Sequence, residues 1–208
     1  IDAVEDEKNW DRAQAVRLLG ETRDPAAAGT LIALLRGDAE QDAILHRVAV
    51  VALGKVRGAS AMGALGNAMR SHPDDAVRLA ATAALARLGD QHAVDRVISL
   101  SADPYTPDRA VAVDALIDIG DQRVPDTAVA ALTDEDPLVR ALAASALAQR
   151  HDARAVAPLI TLLTGYQEEA VQIIAARALG ETGDPRGVDA LLAVMKDGRL
   201  PVRKAAAE

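Results

Sequence analysis

LGETRDP occupies residues 19–25 and LGETGDP residues 179–185. Six of seven letters agree across 160 positions, which points to an internal period rather than to a single site. With Gly20 and Gly180 as anchors, related steps fall at Leu53–Gly54, Leu85–Ala86, Leu116–Ile117 and Leu147–Ala148. The anchors 20, 54, 86, 117, 148 and 180 are spaced 34, 32, 31, 31 and 32 residues apart. A period held this closely is the mark of one supersecondary unit copied and stacked.

Each period reads as two helices. After the anchor comes a polar turn: Arg23-Asp24-Pro25, Gly89-Asp90-Gln91, Gly120-Asp121-Gln122, Gly183-Asp184-Pro185. Asp is a good N-cap and Pro fits the first helical position. An apolar stripe at helical spacing follows, such as Val156, Leu159, Ile160, Leu162 and Leu163, and marks helix A. A second turn, Asp103-Pro104 or Asp134-Glu135-Asp136-Pro137, leads into an Ala-rich helix B. Half the residues are hydrophobic, yet Phe is absent and only Trp10, Tyr105 and Tyr166 are aromatic. Small side chains suit helices that approach closely. The expected fold is therefore all-α: a right-handed α-solenoid of about six antiparallel helix pairs, one array over 1–208. Val4 aligns with the end of a helix A, and residues 203–208 with the first half of a helix B. The chain is expected to be a segment cut inside repeats at both ends.

A polar column runs through the repeats. Eight residues before each anchor stand Arg12, His46, Arg78, Arg109, Arg140 and Gln172, and Arg203 continues the series. Six residues earlier stand Asp6, Glu40, His72, Asp103, Asp134, Tyr166 and Asp197. Asp6/Arg12, Asp103/Arg109, Asp134/Arg140 and Asp197/Arg203 are thus expected to pair across the turn into helix B and to stack as a ladder. Recurrence marks them as structural, because a catalytic pair is needed once and a structural pair in every repeat.

These Asp-x5-Arg pairs, the "VR…A-L" helix and the "G-D-P/x-R-x-V-x-x-L" turn resemble HEAT repeats. ALGETGDPRGVDALLAVM (178–195) is similar to the short subtype found in phycobilin lyases and many bacterial proteins. The resemblance spans the whole chain. It implies an interaction scaffold rather than an enzyme; the alternative it implies is an accessory subunit of a bilin lyase-like, chromophore-attaching system. HEAT-repeat hydroxylases hold iron through His-Glu pairs, and this chain has no His-Glu dipeptide.

No catalytic, cofactor-binding or metal-binding set is expected. There is no Cys, which excludes thiolate chemistry and fits a reducing, cytoplasmic setting. His46, His72, His92 and His151 fall in four different repeats without ligand spacing and read as surface or turn residues. The serines sit in no nucleophile motif and the glycines in no phosphate loop. Charges interrupt every apolar stretch, so no membrane partner is expected. A formal net charge of −8 disfavours nucleic acid, and with it a third reading, recognition of alkylated DNA by a HEAT-like array.

Surface is what remains, and a protein or peptide is the expected partner. By helical geometry, positions seven and three before each anchor, and one after, point away from the core along the B helices. The residues expected to line a concave groove are Arg17, Arg47, Val51, Leu79, Arg87, Asp114, Ser145, Ile173 and Arg177. Trp10, near the start of the first B helix, is expected to rest against a preceding repeat rather than a partner.

Overall fold

The computed structural model describes residues 2–37, 42–165 and 168–208, with side chains from residue 11 onward. Among the described residues every regular element is helical. The B helices are α1 (Asp2–Glu21), α3 (Ala43–Val56), α5 (Asp75–Arg87), α7 (Thr106–Leu116), α9 (Pro137–Ala148), α11 (Glu169–Thr182) and α13 (Leu200–Ala207). The A helices between them are α2 (Ala27–Leu34), α4 (Ala59–Ser71), α6 (Gln91–Leu100), α8 (Val124–Ala131), α10 (Val156–Gly165) and α12 (Val188–Asp197). This is the helix-pair architecture of an α-solenoid. Its contacts gather into two compact units, Ile1–Arg96 (unit 1) and Val97–Glu208 (unit 2).

Within each unit every B helix touches the next, α1 to α3 to α5 and α7 to α9 to α11 to α13. Small residues set the spacing. A Cβ on Gly20 would lie 2.6 Å from the Cβ of Ala52, so α1 and α3 meet at a distance only Gly allows there. Ala49, Ala52, Ala81 and Ala84 continue this seam in unit 1; Ala112, Ala143, Ala144, Ala175 and Ala176 form its counterpart in unit 2. Leucines close the space under the A helices: Leu31, Leu53 and Leu65 in unit 1, and Leu116, Leu147, Leu159, Leu163 and Leu179 in unit 2. Each such side chain contributes about 1.5–3 kcal/mol on burial.

The two copies of the opening phrase fold alike. Thr22 and Thr182 each donate a hydroxyl to the carbonyl three residues back, at 2.7 Å in both. Each Oγ1 also accepts from the amide two residues on, at 3.2 Å. Asp24 and Asp184 then accept from the amides of Ala26 and Arg186, at 2.9 Å, which starts the next helix pair. The single letter that differs is the residue in the left-handed region, Arg23 at φ 54 and Gly183 at φ 63. A side chain there is strained, and Gly is not.

One expected turn is absent. Val4 and Asp6 lie inside α1, which runs unbroken from Asp2 to Glu21. Four of the other entries to helix B carry a proline (Pro73, Pro104, Pro137, Pro201) and those to α3 and α11 follow Gly37 and Gly165, whereas VEDEKNWD (4–11) has neither Pro nor Gly to stop a helix.

Candidate functional site

The polar column makes contacts one repeat longer than its six-residue spacing suggests. Arg109, only 7 % exposed, donates from Nη1 to the backbone carbonyls of Asp103 and Pro104 (2.9 and 3.0 Å). Its Nε and Nη2 go instead to the carboxylate of Asp134 in the next repeat, at 2.8 and 3.0 Å. Asp134 also accepts from the amide of Asp136 at 2.9 Å. Burial on its own would raise the Asp134 carboxyl; the hydrogen bonds from Arg109 and Asp136 and the nearby guanidinium charges outweigh it and hold the group below its ordinary value. Arg140 repeats the carbonyl contacts, to Asp134 and Glu135 at 2.5 and 3.0 Å. The Asp103 carboxylate is turned to the amide of Tyr105 (2.8 Å) rather than to Arg109. At Arg109 the column therefore joins successive repeats, Arg of one to Asp of the next. Arg12 reaches Asp42 at 3.2 Å. Gln172 donates to the carbonyl of Leu163 at 3.0 Å. Arg203 is exposed, as is Asp197 at the end of α12. Glu40, Tyr166 and the side chains of Asp6 and Trp10 lie outside the described residues.

Two histidines correct the expectation of surface residues. His46 is fully buried and His72 is 8 % exposed. Both hold ladder positions, and His46 Nδ1 lies 3.0 Å from His72 Nε2. His92 and His151 are exposed. Among the described residues no three His, Asp or Glu side chains converge as metal ligands, and no helix is long and apolar enough to cross a membrane.

The outward columns differ between the units. In unit 1, α3 shows a line of Ile44 (63 % exposed), Arg47 and Val51 (48 %), opposite its buried Leu45, His46, Ala49, Val50 and Leu53. Arg17 stands on α1 at the equivalent of Val51, with exposed Leu18 beside it. Lys55 binds Glu21 at 2.5 Å across α1 and α3. On α5, Leu79 and Arg87 are half-buried, and Ala83 between them is buried. The unit 1 columns thus carry Arg17, Arg47, Lys55 and Arg87 against one acid, Glu21. In unit 2, Asp114, Ser145 and Ile173 are half-buried, Ala141 is fully buried, and Arg177 binds Glu208 at 3.1 Å. Asp114, Asp118 and Glu181 outnumber Arg177 in those columns.

Sequence reasoning missed Ile44 and Leu18, which lie just off the columns counted from the anchors, and the contact between two histidines 26 residues apart. It also missed Arg150. Its guanidinium donates to the carbonyls of Ala146, Leu116 and Ile117 at 2.6, 3.1 and 3.3 Å and to that of Ile119. No other repeat has an Arg two residues after its anchor, so periodicity could not mark it.

Comparison with known proteins agrees with this architecture. In solved structures, similarity extends to the complex of CpcE and CpcF of phycocyanin lyase from Nostoc sp. PCC7120, at 24 % identity and a TM-score of 0.62, covering 94 % of this chain and 88 % of that one. An engineered protein matches at 24 % identity and a TM-score of 0.50, covering 95 % and 94 %. Human deoxyhypusine hydroxylase matches at 23 % identity and a TM-score of 0.49, covering 96 % and 77 %. No curated protein sequence matches the chain. A family model described as HEAT repeats matches residues 38–117 and 124–208, most of the chain, and the chain belongs to the HEAT-repeat family.

Proposed function

We propose that this chain is a non-enzymatic scaffold that binds a protein partner through the outward face of its B helices, with unit 1 taking an acidic segment that carries apolar side chains. One observation carries the reading: in a chain of net charge −8, the line Ile44–Arg47–Val51 on α3 is exposed, apolar and basic, with Arg17 and Leu18 beside it on α1. Large apolar side chains left in water next to cations favour a partner that offers both apolar contact and negative charge. A helix with anchors at i, i+3 and i+7 matches that line in length and period. A phosphate backbone fits it less well, because nucleic acid is held by rows of cations; Lys55 is already engaged by Glu21, and Arg87 is half-buried. The Asp–Arg rungs are assigned to the scaffold itself.

Peptides selected from a random display library on the intact chain are expected to interleave Asp or Glu with Leu, Ile or Phe. They should lose at least about tenfold in affinity for R47E/V51E. Selection of basic peptides, or equal binding to the variant, would overturn the assignment.

A further inference from the structure

The buried contact between His46 and His72 has a fixed proton arrangement. A backbone N–H can only donate, and the amide of Asp74 lies 3.1 Å from His72 Nδ1. That nitrogen must therefore accept, and the proton of a neutral His72 ring sits on Nε2. His72 Nε2–H then donates to His46 Nδ1 at 3.0 Å, which places the His46 proton on Nε2. That atom is buried and has no hydrogen-bond partner among the described residues. Both rings must be neutral for the chain to hold. A second proton on His72 would set two donors face to face at Asp74; one on His46 would do the same at His72.

His72 stands where Asp134 stands in unit 2: each accepts from the amide two residues ahead, and each meets the residue eight before the anchor of the preceding repeat. The contact is thus a ladder rung with both charges removed. We propose that the His46–His72 rung is an acid-sensitive joint of unit 1, which ties α3 to α5 while both imidazoles are neutral and lets go when either takes up a proton. Among the described residues a new imidazolium on His72 would meet one carboxylate, that of Asp74, and more than one guanidinium. From α5 and its entry, Asp74 and Arg78 face His72, and Arg78 donates to the His72 carbonyl at 2.6 Å. Arg36, at the end of α2, lines the same hollow. From α4 its polar lining is the uncharged Asn67 and Ser71. On the α1 side, Arg12 is turned to Asp42. Burial first, then the proximity of His46, hold His72 below the ordinary histidine value of 6.5. The neutral ring is therefore favoured by the fold. The rung's contribution is complete above about pH 6.5 and falls away as the pH drops below it.

Histidine-selective nitrogen–proton NMR on the intact chain tests the arrangement directly. At about pH 7.5 both buried rings are expected as Nε2–H tautomers, with exposed His92 and His151 as internal references. Either ring carrying its proton on Nδ1 alone, or already doubly protonated, would overturn the proposal. Thermal unfolding at about pH 7.5 and about pH 5.5 tests the consequence. The wild type should lose several degrees between the two, and H46R/H72D, which restores the charged rung of unit 2, should lose little. An equal loss in both proteins would overturn the joint. If H46R/H72D does not fold, the tautomers and their disappearance on acidification in the wild type decide alone.

Discussion

Unit 1 joins its second and third B helices with two neutral rings; unit 2 joins its first and second with a guanidinium and a carboxylate. The positions are equivalent, and so is the backbone amide that orients the second partner, Asp74 N–H for His72 and Asp136 N–H for Asp134. The difference lies in what the rung tolerates. A buried ion pair needs nearly all its hydrogen bonds made, and Arg109 has them: two carbonyls, the Asp134 carboxylate, Thr106 and Glu135. A histidine pair carries no charge to compensate, so His46 can leave one nitrogen unpartnered at the smaller cost of a neutral group. The two units therefore answer to acid in different ranges. The rung in unit 1 gives up its share of stability as the pH falls from about 6.5 through the lower value at which the fold holds His72. Asp134, held below its ordinary 3.8, keeps its share of stability above about pH 4, and loses it only as the pH falls further.

The sharpest way to break this comparison is Asp134→Ala, which takes from the Arg109 guanidinium its buried carboxylate. The expected fall in Tm is about 5–10 °C, read by thermal melting at neutral pH; an unchanged melt would mean that the charged rung carries no stability. Next in size are the two anchor glycines. Gly20→Ala forces apart α1 and Ala52 and should cost about 1–3 kcal/mol. Gly180 has nothing within 4 Å of its would-be Cβ, so Gly180→Ala should stabilise by up to about 1 kcal/mol through helix propensity. Denaturant titration of both variants checks the opposite signs. Smallest is Arg23→Gly, which relieves the left-handed residue of the first phrase and should add about 0.5–1 kcal/mol. Gly183→Ala should cost a similar amount, measured the same way.

Much of the fold was legible because repetition averages out local ambiguity. The turn after each anchor and the Ala-rich B helices recur with the same chemistry, so family and helix pairing follow from pattern alone. Where a repeat lacks its signal, the reading failed: without a proline or a glycine, residues 4–11 continue as helix. The ladder was legible as a column and not as a set of contacts. The six-residue spacing showed Asp and Arg within one turn, but it could not show that the carboxylate turns to its own i+2 amide and leaves the guanidinium to the next repeat. The histidines at 46 and 72 read as surface or turn residues for the same reason, since their partnership exists only between repeats. On the surface, Arg17, Arg47 and Val51 of the counted columns are exposed, and Ile44, also exposed, lies a turn outside the positions counted.

Arg150 gives the last turns of two B helices a common fastening. Its guanidinium reaches back to Ala146 in α9 and across to Leu116, Ile117 and Ile119 at the end of α7. Helix ends ordinarily fray one at a time, because their final carbonyls answer only to water. Here neither end can open without releasing the cation that the other holds. Local openings at this seam are therefore converted into joint ones, and the two helices should lose amide-exchange protection together rather than in sequence.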